Sequence, residues 1–175
     1  MRIERVMAVS LLGWLLIPAA LAGETGTRTT NAAAFEKLKT LVGTWQGRTA
    51  AGKDVSVVYE LVSGGTVLME RFVDDSAPQY SNLITMYHMD LGDLALKHYC
   101  GAENQPRMNL SQASADGSTL RFDFAEATNL ADVNDKHMYM VEYRFADDGR
   151  FTTEWTLRES GRDVYAEVVE FERVR

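Results

Sequence analysis

Two neighbouring pieces of the chain, Lys97-His98-Tyr99-Cys100 and Asn104-Gln105-Pro106-Arg107-Met108, bring together one of the three histidines, the single cysteine and an arginine behind a proline. Three chemistries suit these residue types. His98 and Cys100 lie two apart, so on an extended chain both side chains leave one face and offer two ligands to zinc or copper; the remaining nitrogen ligands would have to be His88 and His137. A Cys100 thiolate activated by His98 would need direct contact, but same-face neighbours on a strand stand about 7 Å apart, too far for proton transfer. Arg107 has the planar fork that grips a carboxylate with two parallel hydrogen bonds. His88 points opposite to His98 in the register derived below, so the metal set is incomplete. No Gly-x-Ser-x-Gly elbow, His-Glu-x-x-His pair or phosphate loop occurs. The sequence therefore assigns no metal ligand and no catalytic residue. The stretch reads either as one wall of a ligand site or as an ordered turn.

The elements that must position these residues begin after a leader. Arg2 and Arg5, the apolar run Val6 to Ile17 and the small residues Ala20-Leu21-Ala22 form a signal-peptide pattern over 1–22. That apolar run is shorter than the roughly 20 residues a membrane span needs, so no membrane insertion is expected. Export to the periplasm or the medium, with cleavage near Ala22, is expected instead. Residues 23–31 are small and polar and read as a disordered leader. The chain carries a net charge of −7, which repels phosphate backbones and argues against nucleic acid as a partner. Cys100 alone cannot form an internal disulfide.

A single domain is expected over 32–175. Phe35, Leu38, Leu41 and Val42 recur at helical spacing, which predicts one short helix over 32–42 ended by Gly43. Beyond Thr44 the pattern is strand and turn. Turn signals at intervals close to 8–12 residues divide it into about ten strands: 44–50, 55–62, 66–74, 80–89, 94–100, 107–113, 119–126, 137–145, 151–158 and 163–173. No helical insertion separates them, so neighbours pair antiparallel and the expected fold is all-β, an up-and-down antiparallel β-barrel behind a short N-terminal helix.

Turn type fixes register, because a slip of one residue turns every side chain to the other face. Gly64-Gly65 sets Tyr59 against Glu70 and Val57 against Phe72. Leu91-Gly92 sets Tyr87 against Leu96 and Thr85 against His98. The loop 147–149 sets Phe145 against Phe151 and Val141 against Trp155. Ser160-Gly161 sets Leu157 against Val164 and Trp155 against Ala166, and the loop 115–117 sets Leu110 against Phe122. These registers gather the large apolar residues on an inner face. With them come Tyr59, Glu70, Tyr87, His98, Tyr139 and Tyr143. A carboxylate on such a face needs a partner, which a barrel with a cavity can supply. Met138 and Met140 then fall outside with Val67, Met69 and Val73, an apolar exterior suited to a homodimer.

Leu41-Val42-Gly43-Thr44-Trp45-Gln46-Gly47, a helix end followed by Gly-x-Trp opening the first strand, resembles the calycin superfamily of lipocalins, fatty-acid-binding proteins and nitrobindin-like haem proteins. The whole domain is most similar to a bacterial, exported, lipocalin-like family without assigned activity, whose signature the pieces His98–Cys100 and Asn104–Met108 resemble. The resemblance implies a small-molecule-binding barrel with Trp45 closing one end. It admits haem as a cofactor, but Arg48-Thr49-Ala50 follow Gly47 here in place of the glycines and Tyr-Pro-Thr segment of the nitrobindin-like proteins.

The expected function is non-enzymatic binding of a partly apolar small molecule inside the barrel. Tyr59, Glu70, Tyr87, His98 and Arg107 would be its polar contacts, and Trp45 and Trp155 its packing walls. Two alternatives stand beside it. One is an isomerase or hydrolase with Glu70 or His98 as general base. The other is a structural or interaction domain whose barrel is filled.

Overall fold

A computed structural model describes residues 21–77, 81–146 and 149–174. The expected signal peptide falls outside the described residues except for its last two positions. The described chain is a closed barrel of ten antiparallel strands, as the turn spacing predicts. The strands are β1 (Gly43–Thr49), β2 (Asp54–Val62), β3 (Val67–Val73), β4 (Leu83–Asp90), β5 (Asp93–Tyr99), β6 (Gln105–Ala113), β7 (Thr119–Thr128), β8 (His137–Phe145), β9 (Arg150–Glu159) and β10 (Arg162–Arg173). Each pairs with its neighbours in sequence, and β1 closes the ring against β10, Trp45 opposite Arg173. Before them runs a single helix, α1 (Leu21–Lys39). It starts earlier than the helix expected over 32–42 and takes in the stretch read as a leader. It ends sooner too, in a turn where Thr40, Leu41 and Val42 donate three residues back, so Leu41 and Val42 belong to the link into β1.

Most registers follow from the turns. Leu91-Gly92 and Ser160-Gly161 both have positive φ at their two central residues, the geometry whose twist matches a two-residue hairpin. Tyr59 faces Glu70, Thr85 faces His98, Phe145 faces Phe151 and Leu110 faces Phe122. Two expectations fail, each at a β-bulge. Between Asp163 and Tyr165 the register shifts, so Leu157 opposes Tyr165 and Trp155 opposes Glu167, not Val164 and Ala166. The extra residue turns the rest of β10 over. Val169 and Phe171 then enter the core and Glu167 faces the interior. Between Met138 and Met140 a second shift in the β8–β9 pairing brings Met138 to the cavity. Tyr139 leaves the inner group and stacks on Phe124 at 5.7 Å, with the Arg158 guanidinium 3.2 Å from its ring. Met138 is thus lost from the apolar exterior proposed for dimerisation.

One end of the barrel is sealed. Ala34, Phe35, Leu38 and Leu41 are buried, plugging the mouth where β4 ends and β5 begins. Trp45 is 3% exposed, donates from Nε1 to the Leu41 carbonyl at 2.7 Å and meets Phe151 edge-on at 4.8 Å. Arg173 lies over the Trp45 ring at 4.2 Å and donates to the carbonyls of Thr40 and Val42. It thereby takes up acceptors that the helix end leaves without intrahelical partners. Gly47 lets β1 approach β10: a Cβ there would stand 2.5 Å from Phe171 and 2.7 Å from Val169. Above this plug, Leu68, Leu94, Leu96, Met108, Leu120 and Phe122 fill the barrel with no exposure. The opposite end, where β2 begins and β9 ends, is open.

Candidate functional site: a cavity above a tyrosine-bound carboxylate

The packed core stops at a polar layer. Glu70 on β3 is 5% exposed. Its Oε2 accepts from the phenols of Tyr59 (2.9 Å), Tyr87 (2.8 Å) and Tyr143 (2.8 Å), and the Tyr87 and Tyr143 oxygens lie in close contact. Its Oε1 takes the Thr85 hydroxyl at 3.5 Å. Strand alternation explains the convergence. Tyr59 is the direct cross-strand partner of Glu70 on one side and Thr85 on the other, while Tyr87 lies two along on Thr85's strand. Tyr143 reaches across from β8. Burial pushes the Glu70 carboxyl up from its ordinary range and the four hydroxyl donors pull it back, leaving a net rise. Burial, reinforced by the Glu70 charge, raises all three tyrosines well above their ordinary range, so each stays a donor.

His98 joins this layer from β5. Its Nδ1 bonds the Thr85 hydroxyl at 3.0 Å, and its ring lies against Trp155 with centroids 4.7 Å apart. The side chain is buried, and its Nε2 has no partner among the described residues. Burial lowers its pKa to about 4, so the imidazole is neutral around pH 7. His98 borders a chamber of about 80 Å3 walled by Val57, Phe72, Trp155 and Val169. At a throat formed by Phe72, Leu83, Met138 and Glu167, which border both spaces, the chamber meets a mouth of about 710 Å3. Lys53, Lys136, Asp74, Glu159 and Cys100 stand around that mouth. The interior is therefore neither empty nor filled, but packed from the helix to the tyrosine layer and open above it.

Tyr59, Glu70, Tyr87, His98 and Trp155 are brought together as expected. Two expected contacts are not. Trp45 belongs to the plug at the closed end and does not border the cavity. Arg107 is not at the mouth: β6 starts at Gln105, so Arg107 lies within the strand, opposite Lys97, and its guanidinium is paired with Asp90 at 2.6 Å. Glu70 borders the chamber, but both its oxygens are taken by hydroxyls of the protein. Asn104 and Gln105 form the ordered turn. Asn104 donates to the Lys136 carbonyl at 2.8 Å, and Gln105 bonds Thr128 and the Glu103 carbonyl. Cys100 Sγ accepts from the Ala102 amide and its thiol pKa is raised by burial, the wrong direction for a nucleophile. Among the described residues no group of three His, Cys, Asp or Glu is placed to hold a metal ion.

Sequence reasoning missed Thr85 and Glu167 as site residues. Thr85 was legible as the cross-strand partner of His98. Glu167 was hidden by the bulge, although the aromatic pair Phe151 and Phe171 conflicts with an unbulged hairpin and could have exposed it. Comparison with protein-family models and with curated proteins found no match for this chain.

Proposed function

We propose that the protein is an exported binding barrel that holds a small, partly apolar molecule in the chamber above Glu70, with its remainder in the mouth. The observation that carries this reading is His98 Nε2, a buried hydrogen-bonding atom without a partner among the described residues, at the wall of an apolar cavity that opens outward. Such an atom costs on the order of 1–3 kcal/mol when nothing bonds it, a cost that a ligand removes. The calycin resemblance and the signal-peptide pattern point the same way. Catalysis by His98 is the weaker reading, since a group titrating at about 4 is a poor proton acceptor at neutral pH.

Native mass spectrometry of protein recovered from its own source tests the proposal, with an absorbance spectrum of the same sample to reveal haem. The wild type is expected to carry a bound mass. Leu83→Trp, which narrows the throat at a half-buried position, is expected to lose it. If wild type and variant both emerge at the bare mass, or the variant keeps the ligand in full, the assignment of this cavity fails. N-terminal sequencing of the same material is expected to begin at Gly23; an intact Met1 would remove the export proposal.

A further inference from the structure

We infer that the inner chamber receives the neutral hydroxyl end of an apolar molecule, an alcohol or a phenol, and discriminates against a carboxylate on the same chain. This rests on the binding function proposed above and specifies the ligand class.

The charge inventory of the walls comes first. Among the described residues bordering the chamber there is no lysine or arginine, while Glu70 and Glu167 both border it. The histidine is neutral. A carboxylate entering there would lose its hydration without meeting a cation and would approach two acidic side chains, a cost of several kcal/mol for an unpaired buried ion. Compensating cations among the described residues lie only in the mouth, where Lys53 and Lys136 stand and the Lys53 charge acts on Glu167 at the throat.

A hydroxyl avoids this difficulty. It is uncharged, and it both donates and accepts. It therefore satisfies Nε2 in either histidine tautomer, whichever way the Thr85 hydroxyl is turned between Glu70 and Nδ1. One such group satisfies His98 Nε2, the buried partnerless atom among the described residues of the chamber wall. The rest of the ligand meets Trp155, Phe72 and Val169, then passes Leu83 and Met138 into the mouth.

The test uses two probes with one chain length, 1-decanol and decanoate, titrated at neutral pH. Trp155 fluorescence reports occupancy beside His98 and calorimetry supplies an independent constant. Decanol is expected to bind tighter, with decanoate weaker by on the order of tenfold or more. Glu167→Lys, at the half-buried throat, is expected to cut the preference of alcohol over carboxylate to about threefold or less. Decanoate binding as tightly as decanol in the wild type would overturn the inference and leave the binding barrel standing. Failure of both probes to bind would overturn the inference and count against the binding barrel itself.

Discussion

At the scale of residues, Glu70 and His98 divide the work. Glu70 is a clamp on three strands, and an apolar replacement would strand three buried phenols without their acceptor. It therefore bears on the fold at least as much as on a ligand. His98 is the residue left free to act, and its titration gives a signed prediction. Its pKa falls from 6.5 unfolded to about 4 folded, so its contribution to stability is complete above 6.5 and is lost as pH falls through about 4. The loss amounts to about 3 kcal/mol. Glu70 acts in the opposite sense: its raised carboxyl pKa means that acidification from above relieves a buried charge. Urea unfolding between pH 7 and pH 4 should show wild type losing stability on acidification more steeply than His98→Phe. Equal slopes would mean that His98 is not buried neutral. The meeting of Tyr59, Glu70, Tyr87 and His98 was legible from sequence because two hairpin turns fix their registers. The placement of Arg107 was not, because its partner Asp90 lies on a strand that is not adjacent to its own.

At the scale of elements, the turns were readable and the bulges were not. A two-residue turn declares itself by glycine and positive φ, whereas a bulge inserts a residue that has no sequence signature of its own. Its effect is nevertheless large: one extra residue in β10 decides that Glu167, Val169 and Phe171 face inward. The same strand explains Gly47. Phe171 is stacked against Phe151 with centroids 4.9 Å apart, so its ring cannot give way to a Cβ on β1. Gly47→Ala should cost about 1–3 kcal/mol through overpacking, whereas Gly117→Ala, in an open turn where nothing lies within 4 Å, should pay only for its positive φ. Thermal unfolding of the two variants side by side checks this. A Gly47→Ala variant as stable as wild type would mean that the β1–β10 seam is looser than its contacts.

At the scale of the molecule, the closed ten-stranded ring was legible because every hairpin connects neighbours in sequence, leaving only the joining of first strand to last to be supplied by the fold. That join pairs the residues most distant along the chain, Trp45 with Arg173 and Gly47 with Phe171. Local hairpins can form early, but contacts of long sequence separation pay their loop-closure entropy first and are completed late. The variant Gly47→Ala should then accelerate unfolding while leaving the refolding rate nearly unchanged. A chevron plot in which its folding limb drops instead would place the seam in the nucleus. Until the seam closes, the chain is an open sheet with two bare edges, β1 and β10, each ready to accept a strand from another copy. Concentration thus becomes a variable of its folding: dilute chains close on themselves, and crowded ones can exchange a last strand or add to a growing sheet.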